Sequence, residues 1–201
     1  MTLLVLCLGY LLGSIPFGVL ASKVLGKDVR RYGSGNIGAT NVLRVLGIPA
    51  AVVVLVGDVG KGLLAMFLAK RILVNQWAVM LAGLAAIAGH NWSIFLGFKG
   101  GKGVATSLGV ALMLSPALTV AVILVFVFVV AATRYVSLGS VSAAALAPFI
   151  SYALHLPAAI IVFSVVAGAF IVIRHWKNIQ RIHAGTEHRL GEKTASKKPT
   201  N

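Results

Sequence analysis

Glycine, cations, amides and hydroxyls collect in three short strings of this 201-residue chain: GSGNIGATN at Gly33–Asn41, FKGGKGVAT at Phe98–Thr106 and RHWKNIQR at Arg174–Arg181. None of the three holds a carboxylate. Glycine lets backbone N–H groups close on a ligand, and Lys, Arg, Asn, Ser and Thr supply further donors. Strings of this kind suit an anion, phosphate above all.

In the first string Ser34, Gly35, Asn36, Gly38, Thr40 and Asn41 offer backbone and side-chain donors, and Arg44 can make a two-pronged contact. Gly33–Gly38 also spells G-x-G-x-x-G, with Asp58 about where a ribose-binding acid would be expected. No strand pattern precedes it and a long apolar segment follows, which excludes a dinucleotide fold. Gly100, Gly101, Lys102 and Gly103 imitate a nucleotide P-loop, but Leu96 and Gly103 stand where that motif needs glycine and a hydroxyl. What survives is a glycine turn opening a helix near Val104, whose free N–H groups and dipole favour an anion. In the third string Arg174/His175, Asn178 and Arg181 fall on one helical face.

His90 and Asn91 lie inside an apolar run, and polar groups at that depth face a bundle interior. His90 can act there as base, donor or orienter, or bond across helices to aid packing. The H-x₄-D dyad of many lipid acyltransferases is absent, because position 95 is Phe95. Asp58 and Lys61 stand three apart and read as a structural pair on one helix face.

The chain around these strings is 59% hydrophobic and 11% charged, too apolar for a soluble domain of this size. Eighteen Lys and Arg face four acids, Asp28, Asp58, Glu187 and Glu192. The cations lie between or after apolar runs, which fits the positive-inside bias and attraction to anionic lipid rather than nucleic acid. So few acids, and Cys7 as the only cysteine, make poor material for a metal centre.

Apolar runs at 2–22, 48–69, 76–97, 104–133, 136–153 and 156–173 predict an all-α, polytopic membrane helical bundle. Gly57–Gly62 is read as interrupting the second crossing. The run 104–133 is too long for one crossing and is broken at Ser115-Pro116. Folding it as a hairpin keeps Arg134 and the cationic tail on the side of the 23–47 loop, giving about seven crossings, N-out and C-in. Lys70 and Arg71 then fall outside. All three glycine-rich and cationic strings share the cytoplasmic face. Residues 1–189 form one domain, and 190–201 are a polar, aperiodic tail expected to be disordered.

Taken together, GSIPFG at 13–18, GSGNIGATN at 33–41, GHNWSIFLGFKGGKGVAT at 89–106 and RHWKNIQRIHAGTE at 174–187 resemble the bacterial acyl-phosphate-dependent glycerol-3-phosphate acyltransferases. The resemblance implies an inner-membrane enzyme that moves a fatty acyl group from acyl phosphate to glycerol 3-phosphate, giving lysophosphatidic acid and phosphate, without cofactor or metal. It places Ser34, Arg44, Lys102, His175 and Asn178 at substrate-binding and catalytic positions, with Asn36, Thr40, Asn41, His90 and Arg181 beside them. Either His90 or a phosphate oxygen of the donor acts as base. The rival reading is a membrane carrier for phosphorylated small metabolites. The lack of an internal repeat and the one-sided clustering of the strings weigh against it.

Overall fold

The computed structural model describes residues 1–192 as helices joined by short loops. The helices are α1 (Thr2–Ser14), α2 (Phe17–Val24), α3 (Ala39–Leu46), α4 (Ile48–Ile72), α5 (Gln76–Asn91), α6 (Val104–Leu114), α7 (Pro116–Thr133), α8 (Val136–Ala153), α9 (Ala158–Arg174) and α10 (Trp176–His183). Most of the expected polar tail, 193–201, lies outside the described residues. Leu190, placed at its start, is instead held by Arg134 through bonds of 2.7 and 2.8 Å.

Five segments are long and apolar enough to cross a membrane, and six when α9 and α10 count as one span bent by 56°. The chain is an integral, multi-pass membrane protein. The break at Ser115 is where the proline predicted it: Ser115 Oγ accepts from Leu118 N and caps α7, with Pro116 at the first helical position. The α6 arm has 11 residues, about 16 Å of helix against ~30 Å of hydrocarbon, so it falls short of a full crossing. That shortfall separates the observed spans from the seven expected.

Gly57–Gly62 does not interrupt anything: α4 runs unbroken from Ile48 to Ile72. Its glycines are approach points. Lipid offers no hydrophobic drive for helices to associate, so close contact at small residues must supply it. A Cβ on Gly62 would strike the Thr106 carbonyl oxygen of α6, and one on Gly109 of α6 would strike the Val59 carbonyl oxygen of α4. The same device joins α1 to α5, where Gly13 lies against the Ala86 carbonyl and Gly89 against that of Tyr10. Val5, Met66, Ile87, Val110 and Phe163 bring five helices into the main core.

The 23–47 segment was expected as a loop, and part of it is the helix α3. Val42 is fully buried with Val29 and Val54, which seats α3 on α4. Gly38 caps its start, and Gly47 at φ +87° turns the chain directly into α4.

Gly109→Leu should wedge α4 from α6, costing about 1–3 kcal/mol and lowering the melting temperature in detergent. Gly60→Ala, whose added methyl meets nothing within 4 Å, should leave it unchanged or slightly raised.

Candidate active site

The first string is held rigid by one side chain. Asn41, 2% exposed, accepts from Ser34 N at 2.9 Å and donates to the carbonyls of Asn36, Val29 and Tyr32 at 2.8, 3.0 and 3.2 Å. Its amide is thereby committed to the loop. Gly33 and Gly35 take the positive φ values, +59° and +72°, that the tight path needs. Thr40 and Arg44 then share α3 with Asn41.

The second string is pinned from both sides. Gly100 N and Gly101 N donate to the Asn91 and His90 carbonyls at 3.2 and 2.9 Å. The guanidinium of Arg174 takes both glycine carbonyls, at 2.8 Å to Gly100 and 2.9 Å to Gly101. With its neighbours fixed, Lys102 extends toward the third string. Gly103, in the left-handed conformation at φ +80°, opens α6. The first-turn N–H groups of α6 lack intrahelical partners by the geometry of any helix start. Around them both amide atoms of Asn91, Thr106 Oγ1 and Ser107 Oγ are buried without a hydrogen-bond partner among the described residues. Of these residues Ser107 lines the cavity of the site.

The third string bends at His175, whose Nδ1 lies 2.8 Å from the Ile171 carbonyl. Beyond the bend Lys102 Nζ donates to Asn178 Oδ1 at 2.6 Å, and Asn178 Nδ2 donates to Glu187 Oε1 at 2.6 Å. Ser137 Oγ of α8 donates to the same oxygen at 2.8 Å, and Arg181 Nε to Oε2 at 2.7 Å. Burial alone would raise the Glu187 pKa, but the bonds from Asn178, Arg181 and Ser137 outweigh it and hold the carboxylate ionised. Burial acts on Lys102 in the other direction and lowers it to about 8, with Glu187 opposing the shift and Arg181, Arg44 and Arg174 adding to it.

Ser34, Asn36, Gly38, Thr40, Asn41, Arg44, His90, Lys102, Gly103, His175 and Asn178 line one cavity of about 790 Å³. Asp58, Ser107, Ser137, Ser140, Ser164 and Glu187 also reach it, and most of the remaining wall is apolar, including Leu55 of α4, Val122 and Phe126 of α7, Ala144 of α8 and Phe163 of α9. The site is thus a polar mouth continuous with a greasy trough.

Gly35, Gly100, Gly101 and Arg181 stand behind this wall: the glycines shape the two loops and Arg181 serves Glu187. His90, 4% exposed, bonds through Nδ1 to Lys61 at 2.9 Å, and the expected Asp58–Lys61 pair is present at 2.7 Å. Two residues absent from the expected set matter here, Arg174 and Glu187. Both lie inside the strings that carry the family resemblance. Glu187 carried a further signal, as one of only four acids in a chain of 18 cations.

The glycerol-3-phosphate acyltransferase family profile matches residues 3–185. A glycerol-3-phosphate acyltransferase of Synechococcus sp. (strain CC9902) is 50% identical over 97% of this chain and 98% of its own length. Glycerol-3-phosphate acyltransferase 2 of Moorella thermoacetica is 48% identical over 96% of this chain and all of its own. Crystal structures of the integral membrane glycerol 3-phosphate acyltransferase PlsY, in glycerol 3-phosphate and lysophosphatidic acid forms, superpose with TM-scores of 0.90 and 0.88. Both are 41% identical to this chain and cover 94% of it, and the alignment takes in 96% and 95% of their own lengths. With the family profile matching residues 3–185 and relatives 41–50% identical over 94–97% of it, the chain belongs to the glycerol-3-phosphate acyltransferase family.

Proposed function

We propose that the protein transfers a fatty acyl group from acyl phosphate to the 1-hydroxyl of glycerol 3-phosphate, yielding lysophosphatidic acid and inorganic phosphate. One observation carries this reading: phosphate-binding groups and an apolar trough form a single continuous cavity. The mouth suits two phosphates and the trough suits an acyl chain. The related crystal structures in glycerol 3-phosphate and lysophosphatidic acid forms support the same substrate and product.

In this reading the amides opening α6, with Ser107 and Lys102, cradle one phosphate. Ser34, Thr40, Arg44, His175 and Asn178 face the other. The glycerol hydroxyl oxygen attacks the acyl carbonyl, and the new oxyanion is stabilised by the same donors. The carbonyl–phosphate C–O bond then breaks, and its electron pair leaves with phosphate. The hydroxyl proton passes to an oxygen of the departing phosphate, so no protein base is needed, and phosphate leaves well enough to need no general acid. The protein's share is position and charge.

Cations concentrate at the end of the bundle where the three strings meet, so the positive-inside bias assigns that end to the cytoplasmic face of a bacterial inner membrane. The N-terminus is then outside, the C-terminus inside, and α6 with α7 a hairpin of one short arm and one full crossing.

Protonated Lys102 is the form that binds phosphate. Its pKa near 8 means the charge is present below that pH and lost above it. The kcat/KM for glycerol 3-phosphate should therefore fall as pH rises through about 8. Lys102→Arg, which stays charged, should move that fall to higher pH. A pH profile of initial rates checks both. Asn178→Ala removes the link from Lys102 to Glu187. It should lower kcat/KM by roughly ten- to 150-fold, the worth of a charge-assisted bond at about 1.5–3 kcal/mol.

A further inference from the structure

Asp58, Lys61 and His90 form a buried cluster at 2%, 4% and 4% exposure, inside spanning helices and behind the glycine loop. Lys61 Nζ donates to the Ile15 carbonyl at 2.8 Å, where the chain breaks between α1 and α2. It lies 2.7 Å from Asp58 Oδ1, an ionic contact set off the line of a hydrogen bond. Its remaining neighbour is His90 Nδ1 at 2.9 Å.

A carbonyl can only accept, so Lys61 meets Ile15 as the donor, while the Asp58 carboxylate holds the same ammonium by charge. A charged lysine and a charged aspartate leave the cluster neutral only when His90 is uncharged, and a bare buried charge at this depth is expensive. The ammonium has a proton left for His90 Nδ1, which must then accept. A neutral imidazole accepting at Nδ1 carries its hydrogen on Nε2.

That second nitrogen packs against the glycine loop of the site. A Cβ on Gly101 would collide with His90 Nε2, so the loop can cross the imidazole edge only as glycine. Lys102 is the next residue, and both it and His90 line the cavity. Among the described residues Nε2 has no protein hydrogen-bond partner, so a proton there is free for a substrate oxygen.

We propose that the Asp58–Lys61 pair locks His90 in the Nε2–H tautomer, making His90 a hydrogen-bond donor to a substrate oxygen beside Lys102 and not the base of the reaction. Asp58 and Lys61 are positioning residues in this scheme. The proposal rests on the acyl-transfer reading above.

The test uses full-length protein labelled with nitrogen-15 histidine in lipid nanodiscs, with the His90 signals assigned by their loss in His90→Gln. The wild type should show bare Nδ1 and protonated Nε2 near neutral pH. In Lys61→Met the nearest acceptor to Nδ1 becomes Asp58 Oδ1, 3.5 Å away, so the proton should move to Nδ1 and turnover should fall about a hundredfold. His90→Gln, which can place an amide N–H where Nε2–H stood, should keep turnover within about tenfold of wild type, while His90→Ala loses about a hundredfold. A protonated Nδ1 in the wild type, or a Gln variant as impaired as Ala, overturns the proposal. A wild-type protein that makes no lysophosphatidic acid from acyl phosphate would instead sink the acyl-transfer reading, and the tautomer result would stand apart from it.

Discussion

The site depends on a single carboxylate. Lys102, Arg44, Arg174 and Arg181 crowd one end of the bundle, and without a counter-charge they would repel one another as the helices packed. Glu187 answers them in part while taking bonds from Asn178, Arg181 and Ser137. Through Asn178 it also fixes where Lys102 points. One acid cannot neutralise all of these cations, and in the proposed reaction the surplus positive charge is what a phosphate dianion would meet. The same residue therefore allows the site to assemble and leaves it short of negative charge.

Membrane packing sets the precision with which these groups meet. Helices that touch through glycine and backbone carbonyl leave little slack. The contact of α1 with α5 fixes His90, and the contact of α4 with α6 fixes the start of α6. Arg174, at the end of α9, then ties the glycine loop to the third string through two carbonyl bonds. Loop, helix start and bent helix become one unit, although they are far apart in sequence. A wide trough between α4 and α8 is compatible with this because the close contacts lie elsewhere.

Much of this was legible in the chain. Apolar runs located the spanning helices within a few residues, and Ser115-Pro116 located the turn between α6 and α7. Other features were hidden for physical reasons. Glycines in Gly57–Gly62 look the same whether they break a helix or let a neighbour approach, and only packing tells which. The path of α3 depended on Val42 finding Val29 and Val54, contacts that no local pattern displays. Asn41 carries the right groups for a substrate, yet its amide is spent on its own loop. Glu187 was passed over because anion sites are sought among cations, whereas the acid is what arranges them.

An experimental structure with a non-hydrolysable acyl phosphonate bound is the most direct check. The phosphonate oxygens should lie within about 3 Å of the first-turn amides of α6 and of Lys102 Nζ, with the chain lying between α4 and α8. A headgroup outside the cavity that Ser34, Lys102 and Asn178 share, or an acyl chain that leaves the trough empty, would contradict the account.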